Sequence, residues 1–186
     1  IQNAIDIANT GGQVWVKTGV YYPNSSPNMS ASTPVTATTP LTSRDYYIKL
    51  KDGVSVYGGF SGTETALNQR NIADNPTYID GDIGVAGDKS DNCYHLMIYV
   101  GNTTTTGVTV DGFVLRNANA TRLPASTDIF ESTFITANGI DNYIQRRLAG
   151  GIYVQRGLNS YFNNIVFENN ECENRGAGIY LDGGTN

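Results

Sequence analysis

The feature that most constrains this chain is an internal echo. Gly151-Ile152-Tyr153-Val154 returns as Gly178-Ile179-Tyr180-Leu181, 27 residues later. Asp111-Gly112-Phe113-Val114-Leu115-Arg116-Asn117 returns as Asn163-Asn164-Ile165-Val166-Phe167-Glu168-Asn169, 52 residues later. One unit of 27 residues plus an insertion of about 25 within 118–148 reconciles the two offsets, so a single period is interrupted once. A unit of short strands with Asn and Gly at its corners cannot bury its apolar side alone and must stack on a copy of itself. Each strand then pairs in parallel with its counterpart one unit on, about 4.8 Å away. The inward columns predicted from the echo are Ile152 over Ile179, Val154 over Leu181 and Val114 over Val166. Asn suits the corners, because it tolerates left-handed backbone and its amide can bond the next unit.

Composition agrees with this reading. The 186 residues include 21 Gly and 12 Tyr, and only 16% are charged, which suits short strands and tight turns better than long helices. Strand-like runs fall at 13–22, 46–50, 54–60, 77–83, 94–100, 108–116, 151–155, 162–167 and 178–182. Leucine-rich-repeat spacing is absent, and a β-sandwich would show hairpin turns without the echo. The prediction is an all-β chain, a right-handed parallel β-helix forming one domain over 1–186 and standing as the N-terminal part of a longer protein. Apolar residues at 1, 4, 5 and 8 predict a short amphipathic helix, stopped by Thr10-Gly11-Gly12, so that 1–12 cap the coil. Residues 23–44 and 118–148 are two long insertions, the second of mixed helical and loop character. Both are expected to project from the coil, to carry binding, and to be removable without unfolding it. The last strand-like run leaves a coil with unpaired edges, which further chain or an assembly partner must cover.

The net charge of −5 argues against nucleic acid as the main partner, since phosphate binding needs a basic face. No run of about 20 apolar residues exists, so no transmembrane segment is predicted. Cys93 and Cys172 are either two separate buried side chains or a single disulfide.

Two stretches also carry a resemblance. The opening from Ile1 to Tyr22 resembles the N-terminal cap of pectin-lyase-like β-helix proteins, where a short helix plugs the coil and leads into the first strand. Leu50-Lys51-Asp52-Gly53-Val54-Ser55-Val56-Tyr57-Gly58-Gly59-Phe60-Ser61-Gly62-Thr63-Glu64-Thr65 resembles bacterial surface proteins of the polymorphic outer-membrane-protein type. Asn75-Pro76-Thr77, Asp80 to Gly84, Asp91 to His95, Gly150-Gly151-Ile152 and Phe167 to Asn170 continue it. The resemblance implies a secreted or cell-surface location, associated with the outer membrane, and an adhesin-like or scaffold role whose partner is a glycan or another surface protein. It also makes a polysaccharide lyase or glycoside hydrolase the natural alternative, and a stalk or filament subunit a third. The Asn-Thr-Asp, Asp-Asp, Gly-His-Gly and Arg-Ile-Lys set of polygalacturonases is missing, so no catalytic residue is assigned.

Three groups are candidates for a site. Asp80, Asp82, Asp88 and Asp91 lie in a run with three Gly bends, and could supply the carboxylate oxygens that Ca²⁺ requires. The alternative is a solvated turn whose Asp side chains cap backbone N–H groups. Trp15, Tyr22, Tyr46 and Tyr47 offer aromatic faces for a sugar, or else stack along the outside of a sheet. Arg146 and Arg147 could touch an acidic glycan, or form an ordinary surface pair. His95, the lone histidine, is expected to be packed on a strand rather than to act as a base.

Overall fold

A computed structural model describes residues 1–24, 42–102, 106–122 and 132–183. The chain is mostly β. One short helix, α1 (Gln2–Ile7), precedes β1 (Gln13–Lys17), β2 (Gly19–Tyr21), β3 (Ile48–Lys49), β4 (Ser55–Phe60), β5 (Thr77–Asp80), β6 (Met97–Val100) and β7 (Thr109–Arg116). Then follow β8 (Asn119–Ala120), β9 (Ser132–Ala137), β10 (Ile140–Gln145), β11 (Ile152–Gln155), β12 (Tyr161–Glu168), β13 (Glu171–Cys172) and β14 (Ile179–Asp182). Most of the first insertion, 25–41, lies outside the described residues.

The strands meet in parallel ladders whose neighbouring members are distant in sequence. β1, β4, β7 and β12 follow one another in the first ladder. β2 and β5 join the second, whose next rungs are the C-terminal halves of β7 and β12. β3, β6, β11 and β14 make the third. β8 pairs with β13 at a corner. The echo sets the register: Ile152 pairs with Ile179, and Asp111 with Asn163. Columns of like residues follow, Val14, Val56, Val110 and Phe162 in the first ladder, and Ile48, Met97, Ile152 and Ile179 in the third. These columns are packed into the principal core.

One predicted column is displaced. Val114 does pair with Val166, but Val114 is outside the core cluster and Val166 is 49% exposed. Gly112 (φ 85°) and Asn164 (φ 50°) adopt left-handed backbone at matching places in successive laps. That bend shifts the in–out alternation by one residue, so that 110, 113 and 115 point inward.

The predicted N-terminal helix is present and ends at Ile7, where Ala8 turns extended. Ile5 is fully buried in the core. Gln2 completes the free edge of β3. Its Oε1 accepts from the Lys49 N–H at 2.7 Å, and its Nε2 donates to the Lys49 carbonyl at 3.1 Å. In return Lys51 Nζ donates to the Asp6 and Ala8 carbonyls at the helix end.

The second insertion departs from expectation. Residues 123–131 lie outside the described residues, and the described part is strand rather than helix: β8 pairs in parallel with β13, and β9 and β10 form an antiparallel hairpin. This hairpin lies over the outer face of the third ladder, where Ile135, Ala137 and Ile144 pack with Tyr47, Ile98, Val100 and Tyr153. Ladder three is therefore buried on both faces, which explains the unbroken apolar run Met97-Ile98-Tyr99-Val100.

Candidate functional site

β2 and β5 end side by side. Pro23 cannot donate to a ladder and closes β2 just after Tyr22. β5 closes at Asp80, whose carboxylate accepts from Arg116 Nε at 2.7 Å, from Asn117 Nδ2 at 2.8 Å and from the Asp82 N–H at 3.1 Å. The last bond is an Asx turn, which swings Asp82 and Ile83 out of the ladder. Opposite them stands the turn Ser43–Asp45, followed by Tyr46. These pieces enclose a cleft of about 500 Å³ lined by Tyr22, Pro23, Ser43, Tyr46, Asp82 and Ile83, with neighbouring loop residues.

The wall carrying Ser43 and Tyr46 is fixed from beneath by buried charge. Asp45 accepts from Arg146 Nε at 2.8 Å and from Arg146 Nη2 at 2.9 Å, with both side chains wholly inaccessible to solvent. Thr133 Oγ1 and the Thr42 N–H also donate to it. Arg44 donates to the carbonyls of Asn92 (2.9 Å) and Asn119 (2.7 Å), and lies 4.0 Å from the centre of the Tyr94 ring. A bidentate, multiply bonded carboxylate of this kind locks geometry as well as charge.

The sequence-predicted site residues are thus divided. Tyr22, Tyr46 and Asp82 come together at the cleft. Trp15 is elsewhere, on the outer face of the first ladder, stacked on Phe60 at 4.7 Å with Nε1 donating to Gln13. Tyr47 is 3% exposed, and burial pushes its phenol pKa upward. The expectation of a surface arginine pair fails: Arg146 is fully buried on Asp45, and Arg147 Nη1 bonds Glu173 at 3.2 Å. A guanidinium is tolerated there because Asp45 meets it with both oxygens.

The four aspartates do not form one donor set. Asp80 is occupied by Arg116 and Asn117. Asp82 accepts from the Gly87 N–H, Asp88 from Ser90 and Asp91 from Val85. They act as caps of backbone N–H groups, and among the described residues no three His, Cys, Asp or Glu side chains are gathered for a metal ion. Glu64 plays a similar part in the Ser61-Gly62-Thr63 loop, accepting from all three N–H groups, and hydrogen bonds from Ser61 above all, with the Glu64 and Gly62 N–H groups, hold its carboxyl down to about 2.

His95 is packed in the core. Its Nδ1–H donates to the Ala149 carbonyl at 2.8 Å, and its pKa is lowered to about 4 by burial. Cys93 and Cys172 are separate free thiols, the first buried and pushed up to about 12. Arg44, Asp45 and Ser43 were not among the predicted residues. Asp45 and Arg146 lie 101 positions apart, with no echo to connect them. No family model matches this sequence, and it has no match among the curated proteins or the solved structures.

Proposed function

We propose that this chain is a stretch of right-handed parallel β-helix of the pectin-lyase-like kind, from a secreted or cell-surface protein, and that its stiff stack holds a glycan-binding cleft without performing chemistry. The parallel ladders, one strand per lap, support the fold. The observation that carries the function is the cleft itself, where two tyrosines and one carboxylate converge at the ends of β2 and β5. Aromatic walls with a polar group beside them suit a sugar ring, which offers an apolar face and a rim of hydroxyls. Hydrolysis of a glycosidic bond uses two facing carboxylates. Asp82 is the sole carboxylate among the described residues lining this cleft, which favours binding over cleavage.

A glycan array on the intact chain tests this. Binding is expected, and Tyr22→Ala with Tyr46→Ala should weaken it at least about tenfold, as loss of aromatic anchors does elsewhere. An array without a hit, or a hit indifferent to both substitutions, would remove the reading. The exposed last lap favours a second reading, a stalk or filament subunit. Among the described residues β14 pairs with β11 alone, and Leu181 is 63% exposed. Concentration-dependent assembly in sedimentation runs would support it.

A further inference from the structure

The cleft discriminates by charge, and this bears on which glycans it takes. Asp82 is the single charged side chain among its described lining residues. The nearby cations are already committed. Arg116 holds Asp80, Arg44 is buried on backbone carbonyls, Arg146 is buried on Asp45, Arg147 is paired with Glu173, and Lys89 with Glu171. A uronate or other acidic sugar would therefore bring its negative charge to an aromatic wall and a carboxylate with no cation among the described lining residues to balance it. A protonated amine meets the opposite situation: tyrosine faces attract cations, and a carboxylate accepts a charge-assisted hydrogen bond. One Asp82 oxygen accepts from the Gly87 N–H at 2.9 Å, and the other, Oδ1, is closed off from solvent without a protein partner, so the carboxylate acts on the cleft through its uncompensated charge.

Resting on the glycan-binding reading above, we infer that the cleft selects amino sugars: oligosaccharides with free, protonated 2-amino groups, in preference to their N-acetylated or uronate counterparts.

The test is calorimetric titration of the intact chain with three probes of equal length: a glucosamine oligomer, its fully N-acetylated form and an oligogalacturonate. The pH is set so that the amines are protonated. The free amine should bind about tenfold more tightly than the acetylated form, with an affinity that falls as salt is raised. The uronate should not bind measurably. Asp82→Asn keeps an oxygen for the Gly87 N–H and should bring the two affinities together by weakening the amine alone. An unchanged melting temperature would show that this variant is folded; if it does not fold, the wild-type comparison and its salt dependence still decide. Equal affinity for amine and acetylated probes, or preference for the uronate, would overturn the selectivity while leaving a glycan site in place. If neither these probes nor any array glycan binds, both readings fall.

Discussion

At the scale of the residue, two buried groups set measurable properties. His95 is neutral in the folded chain, with its pKa lowered to about 4 from an ordinary 6.5 because burial disfavours the cation. The unfolded chain therefore binds the extra proton first. Stability from this group is intact above pH 6.5, declines as pH falls towards 4, and is flat below that. The shift corresponds to roughly 3 kcal/mol. Urea unfolding at pH 7 and pH 4.5 should show most of this loss, and His95→Gln should flatten the dependence in that window. The Asp45–Arg146 pair is the second group. Arg146→Met leaves a carboxylate in the core without its main partner and should cost about 3–5 kcal/mol. Replacing Asp45 by Leu in the same chain should recover much of that loss. A single variant as stable as wild type would show that the buried pair does not hold the wall.

At the scale of the element, the hairpin of β9 and β10 matters most, because it reverses an expectation. A loop hung from the sheets could be deleted freely, but this one supplies Ile135, Ala137 and Ile144, a third of the buried residues of the second apolar cluster. Its removal would bare Tyr47, Ile98, Val100 and Tyr153, each 3% exposed or less. At about 1.5–3 kcal/mol per large apolar side chain, that loss rivals the whole stability of an ordinary domain. A chain lacking 122–147 should therefore show no cooperative unfolding transition by circular dichroism; a normal melt would mean that the hairpin is an appendage. The sequence holds the reason this was hidden. The echo makes β11, β12 and β14 visible, since these residues repeat the task of earlier ones. β9 and β10 occur once, so no counterpart exposes them. Met97-Ile98-Tyr99-Val100 hints at a cover, because an outward Ile98 needs one, but a continuous apolar run does not say what covers it. The cleft was partly legible for a similar reason. Tyr22 and Tyr46 stand out by type, whereas their meeting with Asp82 depends on a turn that is held by Asp45 and Arg146.

At the scale of the whole molecule, the two ends of the parallel ladders differ. At one end α1 closes the core with Ile5, and the Gln2 amide meets both backbone groups of Lys49. At the other end, β12, β13 and β14 each have a partner on one side only among the described residues, and Tyr161, Val166 and Leu181 are exposed. Between these ends the hairpin works as a strap. Asn138 at its turn donates to the carbonyls of Leu50 in the first lap and Val100 in the second, and accepts from the Asp52 N–H. Leu148, just past its second strand, bridges to Arg175 in the last lap. This bears on how such a chain can evolve. Stacked repeats ordinarily grow by duplication anywhere along their length, since each unit meets only its neighbours. Here a lap added between the first and second would part Leu50 from Val100 by a further 4.8 Å or so, beyond the span of one asparagine amide. Such an insertion would break the Asn138 bonds to both carbonyls, so the hairpin fixes the separation of the strands that it ties.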